Sequence, residues 1–185
     1  MESKKRMLGL GLILIVLFGR FAPHPPNFTP IVAVALFSTF LMNKRFLALL
    51  VPAAAFWISD LVLNNVVYSA YFEQFTFVSE SFLWSVSALA LIVLAAKPLM
   101  KKIKASHVIL GALMGSTIFF LVSNFGVWAT GFNGYPPTAS GLGACYLAGI
   151  PFFLNSIAGD LLYSGLLFGT YAWTSKRWLA KESAA

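Results

Sequence analysis

Six long apolar stretches, separated by short polar or basic segments, constrain this chain more than any other feature; they lie at residues 7–22, 29–43, 46–63, 81–97, 107–127 and 151–174. Crossing about 30 Å of hydrocarbon takes about 20 apolar residues, fewer where flanking side chains snorkel or the bilayer thins. The chain is 59% hydrophobic and only 10% charged, with a mean hydropathy of +0.81, which is not the balance of a soluble globular domain. The expected fold is all-α: an integral membrane six-helix bundle in which residues 1–185 form a single transmembrane domain.

The basic residues orient that bundle. Lys4, Lys5 and Arg6, then Lys44 and Arg45, then Lys97, Lys101, Lys102 and Lys104, then Lys176, Arg177 and Lys181 all fall on one side if the N-terminus starts there. Arg20 alone falls on the other side, where the 64–80 connection carries Glu73 and Glu80. By the positive-inside rule this alternation puts both termini in the cytoplasm, as in a multi-pass protein of a bacterial cytoplasmic (inner) membrane. The net charge of +7 therefore reads as membrane topology rather than as a nucleic-acid surface.

The basic Lys4–Arg6 cluster before Met7–Gly19 also looks like the start of a secretion signal. Cleavage after Ala22 would put Arg20 where a small residue is needed, so a retained first span is expected.

The outer connections are longer and more aromatic than the inner ones. In residues 20–28 the prolines block a regular helix. Residues 64–80 space Tyr68, Tyr71, Phe72 and Phe75 along one helical face, which suits a short helix lying in the interface. Residues 128–150 carry Gly131, Gly134, Pro136, Pro137, Gly141 and Gly143 among Trp128, Phe132, Tyr135 and Tyr146, and read as a long irregular loop of the kind that serves as a lid. Gly111 with Gly115, and Gly165 with Gly169, have the spacing of close helix contacts.

Ionisable groups inside a span cost about 2.5–3.5 kcal/mol on insertion scales and so face protein or water. Asp60 and Asp160 meet that description, Asp60 near the outer end of its span and Asp160 about nine residues in, roughly 13 Å at the helical rise. Asn64, Asn65, Ser123, Asn124 and Asn155 fall at similar depth, with Arg20, His24 and Asn27 above them. The candidate substrate-binding residues are therefore Arg20, His24, Asn27, Asp60, Asn64, Asn124, Trp128, Asn155 and Asp160, in an outward-facing polar pocket under aromatic loops. The bland alternative is that Asp60 reaches the interface and that Asp160 pairs with Arg20 or a neighbouring helix.

No phosphate-binding loop, nucleophile elbow or paired metal-ligand motif occurs, so neither catalytic nor metal-binding residues are expected, no cofactor is implied, and the chain does not read as an enzyme. Cys145 is a lone cysteine with no cation nearby in sequence to activate it. Energy for any transport would come from a gradient or a partner.

His24 through Pro30, Ser59-Asp60-Leu61, Ser123 through Trp128, Cys145-Tyr146, Ile150 through Phe153 and Gly159 through Ser164 resemble a family of bacterial six-span membrane proteins without an assigned function. The likeness covers nearly the whole chain. More distantly, the layout resembles the substrate-binding S components of energy-coupling factor (ECF) transporters, six-helix proteins that capture vitamins or metal ions at their outer end. That resemblance implies a transmembrane coupling subunit and paired ATPases as partners, with docking through small residues of the first span; here that span offers Gly9, Gly11 and Gly19. The expected function is capture or uptake of a small nutrient of the vitamin or metal class. The alternative is a non-transporting subunit packed against a larger membrane complex through Gly111, Gly115, Gly165 and Gly169.

Overall fold

In a computed structural model, which describes residues 2–21, 23–71 and 74–182, the chain forms six α-helices and, among the described residues, no strand. These are α1 (Glu2–Phe18), α2 (Ile31–Leu41), α3 (Arg45–Val62), α4 (Phe82–Ala96), α5 (Ala105–Ala129) and α6 (Ala139–Glu182). Each apolar stretch falls on one helix. Three segments, Arg45–Val67, Ala105–Ala129 and Ala139–Lys176, are long and apolar enough to cross a membrane. The side chains of Lys4, Lys5, Tyr71, Phe132, Arg177 and Lys181, and the whole of Phe72 and Glu73, lie outside the described residues.

The short α2 is the hub of the bundle and packs against all five other helices. Its sequence is apolar all round, as a fully enclosed helix must be, and Phe40 is the one residue along it that is not buried. Enclosure requires every polar group to find a protein partner. Pro52 in α3 has no N–H for the carbonyl of Ala48, and the Ser38 hydroxyl of α2 donates to that carbonyl at 2.6 Å. At the other end of α4, Lys97 donates to the carbonyls of Met42 (2.8 Å) and Thr39 (3.3 Å), placing a cation on the C-terminal end of α2.

Glycines set the closest approaches. A Cβ on Gly115 would lie 2.5 Å from Val32 and one on Gly111 3.0 Å from Met100, so this predicted small-residue pair packs inside the chain against α2 and its neighbours. Gly165 and Gly169 have nothing within 4 Å of such a Cβ.

Two connections differ from the expectations above. Residues 139–150 are not an irregular loop but the first turns of α6. The Thr138 hydroxyl caps them by accepting the Gly141 N–H at 3.1 Å. They are held against the second half of α5 by Tyr146 donating to the Leu121 carbonyl (2.8 Å) and by Phe120 stacked on Phe153 (4.5 Å between centroids). Tertiary packing along an α5–α6 hairpin thus overrides the glycines and Pro151. The 64–80 connection holds no separate α-helix among its described residues. A π turn over Leu63–Val67 and a 3-10 turn over Ser69–Tyr71 extend α3 instead, and Asn65 then ties the chain down, donating to Thr76 O (2.9 Å) and accepting from Thr76 N (2.7 Å).

Candidate functional site: a polar cavity at one end of the bundle

The 3-10 turn after α1, the C-terminal ends of α3 and α5, the N-terminal ends of α2 and α4 and the interior of α6 meet around a cavity of about 770 Å³. Residues 23–30 cross this end without forming a helix. Their turn is closed by Phe28 N donating to Pro25 O (3.0 Å), with Asn27 at φ 62°, a left-handed conformation that asparagine tolerates well. The segment lies on α6, where Asn155 donates to Pro26 O (3.1 Å) and Ser156 to Asn27 O (3.3 Å). It comes so close that a Cβ on Gly159 would sit 3.2 Å from the Phe28 backbone, which makes glycine the residue that fits. Irregular backbone deep in a bundle is stable where it is enclosed by protein or lines a cavity, and Asn27 and Thr29 do line this one.

Near the mouth, Arg20 and Asp60 form an ion pair at 2.6 Å with side chains 10% and 14% exposed. The guanidinium is held by further contacts. Nη1 donates to Phe56 O (3.2 Å) and to the Ser59 hydroxyl, and the group lies 4.7 Å from the centre of the Phe56 ring. The second oxygen of Asp60 accepts from Ser79 (3.1 Å). Arg20 therefore pairs with Asp60, not with Asp160, and Asp60 does not simply reach the surface.

Deeper in the bundle, Asp160 is 2% exposed and accepts a hydrogen bond from Ser116 at 2.6 Å. Ser116 stands near the middle of α5, so Asp160 lies at mid-bundle rather than in its outer half. Counted from Ser116 to the end of α5 at Ala129, the depth is roughly 20 Å at 1.5 Å per residue. The expected depth was shallower because the start of the last helix was placed at residue 151 instead of Ala139.

Of the nine candidate residues, Arg20, Asn27, Asp60, Asn64, Asn124 and Asp160 line the cavity. Asn64 is carried there by the π turn, a distortion often found at functional sites. The other three are outside its lining. His24 bridges loop carbonyls, with ring nitrogens 2.9 Å from Pro25 O and 3.2 Å from Arg20 O. Trp128 donates to Pro136 O at 3.0 Å, closing the turn into α6, and Asn155 holds the 23–30 segment. Cys145 is buried, with its thiol 3.4 Å from Asn124 O.

Sequence reasoning passed over Ser79 and Ser116, which hold the two acids, and Trp84, whose ring lies against α5 because a Cβ on Gly126 would be 2.2 Å from it. A serine inside an apolar stretch directly after a packing glycine, as at Gly115-Ser116, was the available signal. Among the described residues no three His, Cys, Asp or Glu side chains gather as a metal site would require.

Fold and cavity define an all-α chain with an apolar exterior and, at one end, a largely apolar chamber into which a few polar side chains reach. The chain matches the family of unknown function DUF6580 over residues 2–182, and it belongs to that family. No curated protein and no solved structure matches it.

Proposed function

We propose that the protein is a multi-pass integral membrane protein that captures a small nutrient molecule in this cavity, which opens to the outer face. The observation that carries the reading is the cavity itself: about 770 Å³, lined by Arg20, Asn27, Asp60, Asn64, Asn124 and Asp160, at the end of the bundle opposite the basic connections. Its volume is in the range of small-molecule sites, and its polar groups converge from the 19–30 segment, the end of α3, α5 and α6.

The distribution of apolar side chains supports membrane residence. Leu14, Leu83 and Leu154 are 61%, 73% and 61% exposed, while Ser38, Ser59, Ser116, Ser164 and Asp160 are buried. A water-soluble domain hides its large apolar groups and seldom exposes so many along all five helices that surround a central one. With lipid as the solvent, Lys44, Arg45, Lys97, Lys101, Lys102 and Lys104 mark the cytoplasmic end, and both termini lie on that side.

In this reading the chain is the capture component and has no engine of its own. A coupling subunit with ATPases, as in S-component systems, would supply the energy. Docking through small residues of α1 would rest on Gly11, since Gly9 faces Leu41 and Gly19 faces Tyr163.

Thermal-shift screening of the detergent-solubilised protein against vitamins tests the reading, because a ligand at a hundred times its Kd stabilises by about 2.7 kcal/mol. A dose-dependent rise in Tm with one compound is expected. No shift across the panel would remove the capture role and leave the membrane architecture standing.

The second reading, a structural subunit of a larger complex, is favoured by Gly165 and Gly169, which face open space. Gly111 and Gly115 do not serve it, being covered by α2 and Met100. Loss of a co-purifying partner in Gly165→Leu, with ligand binding intact, is the outcome it requires.

A further inference from the structure

The capture reading leaves the chemical class of the solute open, and the charges around the cavity narrow it. Among the described residues, the charged side chains lining the chamber are Arg20, Asp60, Glu80 and Asp160. Arg20 and Asp60 neutralise each other at 2.6 Å, and the guanidinium also donates to Phe56 O and the Ser59 hydroxyl. No cation among the described residues lies within ion-pair distance of Glu80 or Asp160. Two carboxyl groups, those of Glu80 and Asp160, therefore line the chamber without a cationic partner among the described residues.

Asp160 sets one of these carboxyls where water is scarcest. It is 2% exposed, one of its oxygens accepts from Ser116, and the other has no hydrogen-bond partner among the described residues, although the side chain lines the cavity. A serine hydroxyl satisfies one lone pair, and a carboxyl so enclosed is ionised when a cation pairs with it, so a positively charged solute would supply the partner that the protein itself does not. A metal ion is a poor fit to that role, since among the described residues no cluster of ligating side chains surrounds Asp160. The lining instead includes Tyr68, Trp84 and Phe119, aromatic side chains of the kind that attract organic cations. Glu80 is exposed at the mouth, where it would draw the same sign of charge inward.

We infer that the captured solute is an organic cation, an amine or quaternary ammonium compound, with its charge set against Asp160 and its apolar part along Tyr68, Trp84 and Phe119. Arg20, the one basic residue expected to reach a ligand, is part of the wall.

Three aromatic probes of similar size separate the charge classes: benzyltrimethylammonium, benzyl alcohol and benzenesulfonate, titrated into the full-length protein in detergent at low salt. The cation is expected to raise Tm with dose, with no shift from the other two. Asp160→Asn, which keeps the side-chain shape and an acceptor for Ser116, should weaken the cation at least tenfold. Glu80→Gln, at an exposed position that leaves the fold intact, should weaken it severalfold and flatten its dependence on salt, so the inference stays testable even if the Asp160 variant does not fold. Equal or tighter binding of benzenesulfonate or benzyl alcohol would overturn the charge assignment while leaving capture in place, as would a vitamin ligand without positive charge. Cation binding unchanged in both variants would also overturn it. Silence from all three probes together with the vitamin panel would remove the capture reading as well.

Discussion

Ser116 donates a 2.6 Å hydrogen bond to Asp160 across the contact between α5 and α6, joining residues 44 apart in the chain. Both are buried, so the bond is shielded from water and from competing partners. Ser116→Ala leaves the carboxyl without a donor and should destabilise the protein by about 1–3 kcal/mol. Measured as Tm or denaturant midpoint in detergent, the loss should shrink when the same change is made in an Asp160→Leu background. Equal losses in the two backgrounds would show that the residues are not coupled.

The Arg20–Asp60 pair is nearly buried, with side chains 10% and 14% exposed. Removing one member strands the other, so Arg20→Met and Asp60→Leu should each cost about 3–5 kcal/mol. The double variant should recover most of that stability, because nothing charged then remains without its partner. A double variant as unstable as the sum of the singles would count against the pairing.

Lys97 ties α4 to the end of the central helix through two backbone carbonyls. Lys97→Met should cost about 1–3 kcal/mol, since it removes a charged donor and exposes two acceptors without partners. Hydrogen exchange should rise at the C-terminal turn of α2, whereas an unchanged exchange pattern would mean the carbonyls are satisfied in some other way.

The paired glycines should behave oppositely. Gly115→Ala drives a Cβ to within 2.5 Å of Val32, a stiff β-branched side chain in the packed hub, and is expected to destabilise by about 1–3 kcal/mol. Gly169→Ala meets open space and should stabilise by up to about 1 kcal/mol through helix propensity. Tm measurements that rank the two the other way would contradict the packing of α5 on α2.

Membrane orientation is checked with single cysteines in a Cys145→Ala background. A cysteine at Ser140, on the cavity side, should react with a membrane-impermeant maleimide added to intact cells, and one at Lys102 only after lysis. The reverse pattern would invert the proposed topology and put the cavity in the cytoplasm.

Much of this fold is legible along the chain because lipid-length apolar runs and their charged punctuation are local signals. The prolines at 23, 25, 26 and 30 announce a non-helical crossing, and the acids at 60 and 160 stand out against their apolar surroundings. The first turns of α6 were not legible: Gly141, Gly143 and Pro151 speak for a loop, and only the facing half of α5 makes a helix the better solution. His24, Trp128 and Asn155 carry the right chemistry in the right segments, yet backbone carbonyls of the adjoining turns take their polar groups.

Composition and the order of apolar and basic segments dictate six helices and which of their ends share a side, since each depends on short-range hydrophobicity and charge. Which acid meets Arg20, which serine holds Asp160 and which glycines face inward depend on side chains brought together from distant parts of the chain. Those choices are made only when the helices pack around α2, because hydrogen bonds and close contacts act over a few ångströms and the linear sequence does not state which residues come within that range.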